Sequence, residues 1–165
     1  MLREPVQDEP LMGALLRMPV DAIRHRMHED LHAAGFTDLV PAHAAVLRYP
    51  GPQGCRPSDL AAEAGMSRQA MNYLLGELEQ LGYLERRDDP DDRRSRRIEL
   101  TTRGLAVRRV LRKSVAGIEK ELERQLGRDE LAQLRQSLVE LNGSAFVRDY
   151  RERTRQPQVI ADATR

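Results

Sequence analysis

Residues 58–101 decide the fold, and they read SDLAAEAGMSRQAMNYLLGELEQLGYLERRDDPDDRRSRRIELT. The apolar pattern over residues 60–64 predicts a short helix, and Gly65 is suited to end it. Ser67 is a good N-cap for a second helix, because its hydroxyl can accept a hydrogen bond from an otherwise unpaired backbone N–H. Two helices joined by a short turn with a glycine form a helix-turn-helix. Such a pair places the start of its second helix in the major groove of DNA.

The second helix has an apolar face and a polar face. Its apolar residues recur in steps of three and four, which is typical of a buried helix face. They are Met71, Leu74, Leu75, Leu78 and Leu81, and Gly82 is suited to follow the last turn. The side chains predicted to contact DNA lie near the start of the helix and are Ser67, Arg68, Gln69, Asn72 and Tyr73. Arginine matches the edge of guanine, and glutamine or asparagine matches adenine. The alternative is a solvated helix face, and the ring of Tyr73 could instead pack on the helix-turn-helix core.

Two short strands are predicted at 83–87 and 96–101, joined by a turn rich in Asp and Pro. A hairpin directly after a recognition helix is a wing, whose arginines can reach phosphates or a narrow minor groove. Alternation along a strand sends Arg96 and Arg97 to opposite faces, so at most one of them should face DNA. The wing arginines predicted to contact DNA are Arg93, Arg94 and Arg96. The alternative is a solvated hairpin whose arginines interleave with Asp88, Asp89, Asp91 and Asp92.

The wing sequence resembles that of a known family. Residues 92–101 read DRRSRRIELT and are followed by Gly104, a pattern similar to the wing signature of MarR-type transcriptional regulators. Residues 65–68 (GMSR) and 78–84 (LEQLGYL) also resemble the helix-turn-helix of that family, and the likeness covers roughly 11–148. It implies that Asp92 pairs with a nearby arginine and stiffens the wing. It also implies that Arg94 enters the minor groove.

The composition is consistent with one small, mainly α-helical domain. The chain has 165 residues, 32% of them charged and 4% aromatic, with a net charge of +1. Its start lacks the apolar core of a secretion signal, and its single cysteine suits a reducing compartment, so we expect a cytoplasmic protein. A run of eighteen apolar residues is absent, so we expect no membrane association. No catalytic motif occurs, so we expect no enzyme, no cofactor and no metal.

The predicted fold class is mainly α with a small β-hairpin: a winged helix-turn-helix plus N- and C-terminal dimerisation helices. The predicted segments are a flexible arm (1–10), N-terminal dimerisation or scaffold helices (11–48), the DNA-binding domain (55–101), C-terminal dimerisation helices (102–148) and a frayed tail (149–165). The first helix starts either near Pro10 or at Pro19, because proline is tolerated in a first turn and otherwise kinks a helix. A second helix should start at Pro41.

Two C-terminal helices carry long apolar stripes. One should be capped by Thr101 or Thr102 and end near Gly127, and the last should begin near Asp129 and carry apolar residues as far as Ala145. Their spacing suits helix pairing. The resemblance implies a homodimer, and an intrachain helical hairpin is the alternative. The predicted dimer-interface residues are Val20, Ile23, Leu111, Val115, Ile118, Leu122, Leu134, Leu138 and Leu141.

Four histidines and the cysteine invite other hypotheses. His25, His28 and His32 lie near one helix face, a spacing that can bind metal but equally suits a polar flank. We assign His25, His28 and His43 to a possible effector pocket, although a surface position for His43 is equally consistent with the sequence. Cys55 could act as a redox sensor if the adjacent Arg56 lowers its pKa, and the alternative is a half-buried structural residue.

These patterns predict a transcriptional regulator that reads double-stranded DNA. The resemblance implies that it is a homodimer, more often a repressor, which would bind an inverted-repeat operator. A small-molecule effector would release it. Two alternatives are a winged-helix module that binds proteins, and a redox or ligand sensor acting through Cys55 or the histidine face.

Overall fold

The computed structural model describes residues 10–47, 54–89 and 96–155. Within them the chain is mainly helical with one antiparallel hairpin, which confirms the predicted fold class. The elements are α1 (Met12–Ala33), α2 (Pro41–Leu47), α3 (Pro57–Ala64), α4 (Arg68–Gln80), β1 (Leu84–Asp88), β2 (Arg96–Leu100), α5 (Thr102–Leu126), α6 (Arg128–Gly143) and α7 (Ala145–Arg155).

Local capping explains the helix-turn-helix formed by α3 and α4. Pro57 occupies the first turn of α3, where its missing N–H costs nothing, so the helix begins three residues before the apolar pattern over residues 60–64. Gly65 follows α3 in the left-handed conformation, with φ of 65°. The Ser67 hydroxyl accepts a hydrogen bond of 3.1 Å from the backbone N–H of Ala70, as predicted for the N-cap of α4.

The hairpin is antiparallel, with Leu84 opposite Leu100 and Asp88 opposite Arg96. Cys55 forms a short bridge to the same sheet: its N–H donates to the Ile98 carbonyl at 3.1 Å, and the Ile98 N–H donates to the Cys55 carbonyl at 2.8 Å. This pairing ties the start of the helix-turn-helix to the base of the wing. The wing tip, 90–95, lies outside the described residues, and the roles of Asp92, Arg93 and Arg94 therefore stay predictions.

One apolar core holds α1, α2, the helix-turn-helix, the hairpin and α5 together. Its largest fully buried members are Tyr83, Leu31, Leu39, Leu47, Leu60, Met71, Leu75, Leu78, Leu84, Ile98, Leu111 and Val46. The start of α5 packs tightly on the end of α4. The Thr101 hydroxyl donates to the Gly82 carbonyl at 2.7 Å and accepts from the Gly104 N–H at 3.2 Å. A Cβ at Gly104 would overlap the Tyr83 carbonyl oxygen, so this close approach requires glycine.

Helix α1 begins at Met12 and is continuous through Pro19. Of the two predicted starts, the one near Pro10 is therefore confirmed and the one at Pro19 is wrong. Its buried residues, Met27 and Leu31, lie in its second half, and residues 11–22 are exposed along their whole length. The Gly35 N–H bonds to the His32 carbonyl at 3.0 Å with φ of 90°, so this glycine follows the helix end as predicted.

The C-terminal region differs from the prediction in two ways. The predicted last helix is divided at Ser144, whose backbone is extended and whose hydroxyl accepts from the Val147 N–H at 3.4 Å. This side chain therefore begins a separate helix, α7. The predicted frayed tail from residue 149 also begins too early, because α7 continues to Arg155. Residues 156–165 lie outside the described ranges.

None of the helices in residues 10–47, 54–89 and 96–155 is both long enough and apolar enough to cross a membrane.

Candidate nucleic-acid interface

The residues predicted to contact DNA lie on the exposed face of α4 or at its N-cap. Each is solvent-exposed, and they are Ser67, Arg68, Gln69, Asn72 and Tyr73. The opposite face of α4 is buried through Met71, Leu75 and Leu78. Tyr73 is 67% exposed, so its ring does not pack on the helix-turn-helix core, contrary to the alternative considered for it.

Tyr73 is held by a chain of hydrogen bonds that crosses from α4 to α2. Its hydroxyl donates to Glu77 Oε1 at 2.9 Å, and Glu77 Oε2 lies 3.1 Å from His43 Nε2. His43 Nδ1 accepts from the Val40 N–H at 3.3 Å. The hydrogen bond from His43, together with that from Tyr73, lowers the pKa of Glu77. The hydrogen bond to this carboxylate raises the pKa of Tyr73.

One of the two positions considered for His43 is wrong. It is only 4% exposed, so it does not lie on the surface, and its ring is bonded to Glu77 of α4. Its part in an effector pocket stays a prediction. The partner, Glu77, is 34 residues away. Sequence periodicity gives no signal for such a distant pair, and sequence reasoning therefore missed both residues as neighbours of Tyr73.

The base of the wing is organised by a buried carboxylate, Asp89, which is 2% exposed. Its Oδ2 lies 2.8 Å from Arg56 Nε, and its Oδ1 lies 3.9 Å from Arg97 Nη1. The solvated-hairpin alternative is thus wrong for Asp89. A wing-stabilising carboxylate was predicted at Asp92, and the structure supplies one three positions earlier.

Arg96 and Arg97 point to different surroundings, as strand alternation predicts. Arg96 is exposed and pairs with the equally exposed Asp88 at 3.0 Å. Arg97 is half-buried and turned toward Asp89. Of these two arginines, Arg96 is therefore the one placed on the outer surface.

Cys55 does not have the environment of a reactive thiol. Burial, with smaller contributions from the carboxylates of Glu63 and Asp59, raises its pKa to about 11. The charge of Arg97 lowers this pKa by less than burial raises it, and the Arg56 guanidinium is paired with Asp89. These surroundings fit a half-buried structural residue. The redox alternative required a lowered pKa of Cys55, and the structure gives a raised one.

The histidines of α1 form local pairs. His25 Nε2 lies 3.4 Å from Glu29 Oε1 on an exposed surface, and the rings of His28 and His32 are 4.9 Å apart. Among the residues that the structure describes, no three His, Cys, Asp or Glu side chains are grouped as metal ligands.

A cavity of about 230 Å³ lies between α1 and α5. Its lining residues are Met27, Arg108, Leu111, Arg112, Val115, Ala116 and Glu119. The proposed effector-pocket residues His25, His28 and His43 do not line it, so the set drawn from the sequence is not assembled around this cavity.

The predicted dimer residues divide into two groups. Leu111 is 2% exposed and packs in the core of its own chain, so its assignment to a dimer interface is wrong. Ile23 and Ile118 are half-buried against the same core, and Leu122 and Leu138 are also half-buried. The remaining residues of the predicted interface are exposed, and they are Val20, Val115, Leu134 and Leu141.

Large apolar side chains are exposed along residues 11–22, α6 and α7, which we call the helical arms. They include Leu11, Met12, Leu15, Leu16, Met18, Val20, Leu134, Val139, Leu141, Phe146 and Tyr150. Exposed apolar side chains in this number are typical of an interaction site.

A model of the MarR family matches residues 37–95, which include α2, α3, α4 and β1. The structure of the transcriptional repressor CouR bound to a 23-mer DNA duplex is 30% identical, covers 79% of this chain and 92% of CouR, and has a TM-score of 0.64. The chain belongs to the MarR family. Its relatives also include MarR from Escherichia coli, with 25% identity, a TM-score of 0.66 and coverage of 82% of this chain and 98% of MarR.

Among curated proteins, this MarR-family chain is similar to the transcriptional repressor MprA of Escherichia coli. The two are 28% identical over 100 residues, which span 61% of this chain and 56% of MprA. The chain thus matches about half the length of this curated relative. CouR from Rhodococcus jostii RHA1 has also been solved bound to p-coumaroyl-CoA. At 23% identity, with a TM-score of 0.67 and coverage of 79% of this chain and 90% of CouR, that structure shows the shared fold.

Proposed function

We propose that this MarR-family protein is a homodimeric transcriptional repressor that binds an inverted-repeat operator in double-stranded DNA. The observation that carries the proposal is the exposed polar face of α4, with Arg68, Gln69 and Asn72 at its start, followed along the chain by a wing hairpin whose Arg96 is exposed. CouR, bound to a DNA duplex, has the same fold, and MprA is a repressor. Such a protein acts in the cytoplasm, where bacterial DNA is found, and it needs no catalytic group.

The contacts would divide into specific and non-specific ones. Arg68, Gln69 and Asn72 would read base edges in the major groove. The wing arginines Arg94 and Arg96 would bind phosphates or the minor groove and supply affinity that depends on salt. Arg96 is paired with Asp88, but an exposed ion pair is worth only about 0–1 kcal/mol, so a phosphate can replace that partner.

The helical arms would form the dimer interface. A two-fold dimer presents two recognition helices to two half-sites, which explains an inverted-repeat operator. The exposed apolar residues of α1, α6 and α7 are the surface that a second copy would cover. Their burial would stabilise the dimer by the hydrophobic effect.

The cavity between α1 and α5 is the candidate effector site. Met27, Leu111 and Val115 give it an apolar wall. Its two arginines, Arg108 and Arg112, outnumber its one carboxylate, Glu119. A small molecule with an apolar body and an acidic group fits this lining. It would release DNA by favouring a spacing of the two recognition helices that no longer matches successive major grooves. p-Coumaroyl-CoA, the ligand of CouR, combines both features.

Selection of binding sequences from a random duplex pool tests the proposal. We expect an inverted repeat, and Gln69→Ala should relax one position in each half-site. Gln80→Ala, at the other end of α4, is the matched control and should leave the selected sequences unchanged. Arg94→Ala should instead weaken binding to all sequences and reduce the salt dependence. If the wild-type protein enriches no sequence, the winged-helix module that binds proteins becomes the better account.

A further inference from the structure

The hydrogen-bond chain from Val40 to Tyr73 has a fixed direction. His43 Nδ1 accepts from the Val40 N–H, so in the neutral ring the proton is on Nε2, which donates to Glu77 Oε2. The ionised carboxylate of Glu77 has only acceptors, so the Tyr73 hydroxyl must be the donor to Oε1.

This direction decides what Tyr73 can offer to a ligand. A tyrosine hydroxyl has one proton, and here that proton is committed to Glu77. The phenolic oxygen can still accept, and the side chain is exposed on the same face as Gln69. The raised pKa of Tyr73 agrees with a hydroxyl that keeps its proton.

We propose that Tyr73 is a specificity-determining residue that selects bases with an exocyclic amino group. This inference rests on the proposed function, namely major-groove binding by α4. In that groove adenine and cytosine present amino donors, whereas guanine and thymine present carbonyl acceptors to the same region. A hydroxyl oxygen that acts only as an acceptor can form a hydrogen bond with the amino group of adenine or cytosine. Opposite guanine or thymine it would face a second acceptor.

His43 and Glu77 are positioning residues for this readout. Glu77 fixes the hydroxyl direction, and the buried ring of His43 holds Glu77 from α2. Because His43 is also bonded to the Val40 backbone, the orientation of Tyr73 depends on a contact between two helices rather than on α4 alone.

Sequence selection with three proteins tests the inference. The wild-type protein should prefer A or C about five-fold at one position of each half-site, the scale of one hydrogen bond. Tyr73→Phe should remove this preference and leave the other positions unchanged. In Glu77→Gln, the amide oxygen can accept from His43 while the amide N–H₂ donates to Tyr73. The hydroxyl proton is then free, so the preference should shift to G or T.

Two His43 variants separate positioning from folding. His43→Gln keeps a donor near the Nε2 position and should retain the preference for A or C, whereas His43→Leu should lose it. Thermal melting identifies a variant that fails to fold, and Tyr73→Phe, altered only at an exposed hydroxyl, remains informative in that case. The inference is overturned if a wild-type motif appears but Tyr73→Phe and Glu77→Gln leave its base frequencies unchanged. If the wild-type protein yields no motif at all, the proposed function fails as well.

Discussion

The winged-helix half of the molecule and its helical arms have opposite relations to solvent. In the winged-helix half, Met71, Tyr83 and Ile98 are fully buried within one chain. In the arms, side chains of the same kind are exposed, and Phe146 reaches 79%. The winged-helix half therefore buries its large apolar side chains within one chain, whereas the arms leave theirs exposed. This difference is the reason for proposing that the first half binds DNA and that the arms bind a second copy.

Charges placed in the arms should produce the largest effect. Leu15→Glu and Leu134→Glu should each raise the dissociation constant of the dimer at least ten-fold, because a buried carboxylate without a partner is costly. Sedimentation equilibrium measures the change. Gln136→Glu, on the exposed surface of α6, is the control. If the two leucine variants leave the mass unchanged, the comparison between the halves no longer supports a dimer.

The next largest effect should come from the contact between α5 and the end of α4. Gly104→Ala should destabilise the fold by about 2–4 kcal/mol, because the new Cβ overlaps the Tyr83 carbonyl oxygen. Gly117→Ala in the same helix meets no atom within 4 Å and should be neutral or stabilising by up to about 1 kcal/mol. Urea unfolding compares the two variants, and equal free energies of unfolding would contradict the role given to the close packing at Gly104.

The buried carboxylate at the base of the wing gives a smaller effect. Asp89→Asn should cost about 1–3 kcal/mol, since it removes a charge that Arg56 and Arg97 face. Asp88→Asn, one residue away and exposed, should change stability by less than about 0.5 kcal/mol. Chemical denaturation at neutral pH measures both. A similar cost for the two variants would contradict the distinct role given to Asp89.

The smallest effect concerns acid stability. The hydrogen bond of 2.5 Å from the Tyr83 hydroxyl, with Arg103 nearby, lowers the pKa of Asp38 below its ordinary 3.8. Since this folded-state pKa is depressed, its contribution is present above pH 3.8 and is lost as the pH falls through the lower value. Tyr83→Phe should therefore cost about 1 kcal/mol at pH 7, and less in strong acid. Unfolding curves at several pH values test this, and a cost independent of pH would contradict it.

Features set by neighbouring residues were predictable from the sequence. Ser67 caps α4, Gly65 ends α3 and Thr101 begins α5, because capping depends on residues within one turn. The division of α4 into an exposed polar face and a buried apolar face followed from the helical period.

Features set by distant residues were not predictable. His43 meets Glu77 and Arg56 meets Asp89 across more than thirty residues, and neither pair has a periodic signal. Periodicity showed that Leu111 would be buried, but not that its own chain would bury it. At Ser144 the backbone is extended and the hydroxyl caps the start of the next helix, which an apolar stripe does not reveal.

The most direct test of the central claim is the mass of the complex with a selected duplex, measured by sedimentation or light scattering. A homodimeric regulator predicts two 18.8 kDa chains on one duplex that carries an inverted repeat, with half-sites about one helical turn apart. One chain per duplex, or a selected sequence without two-fold symmetry, would contradict the account.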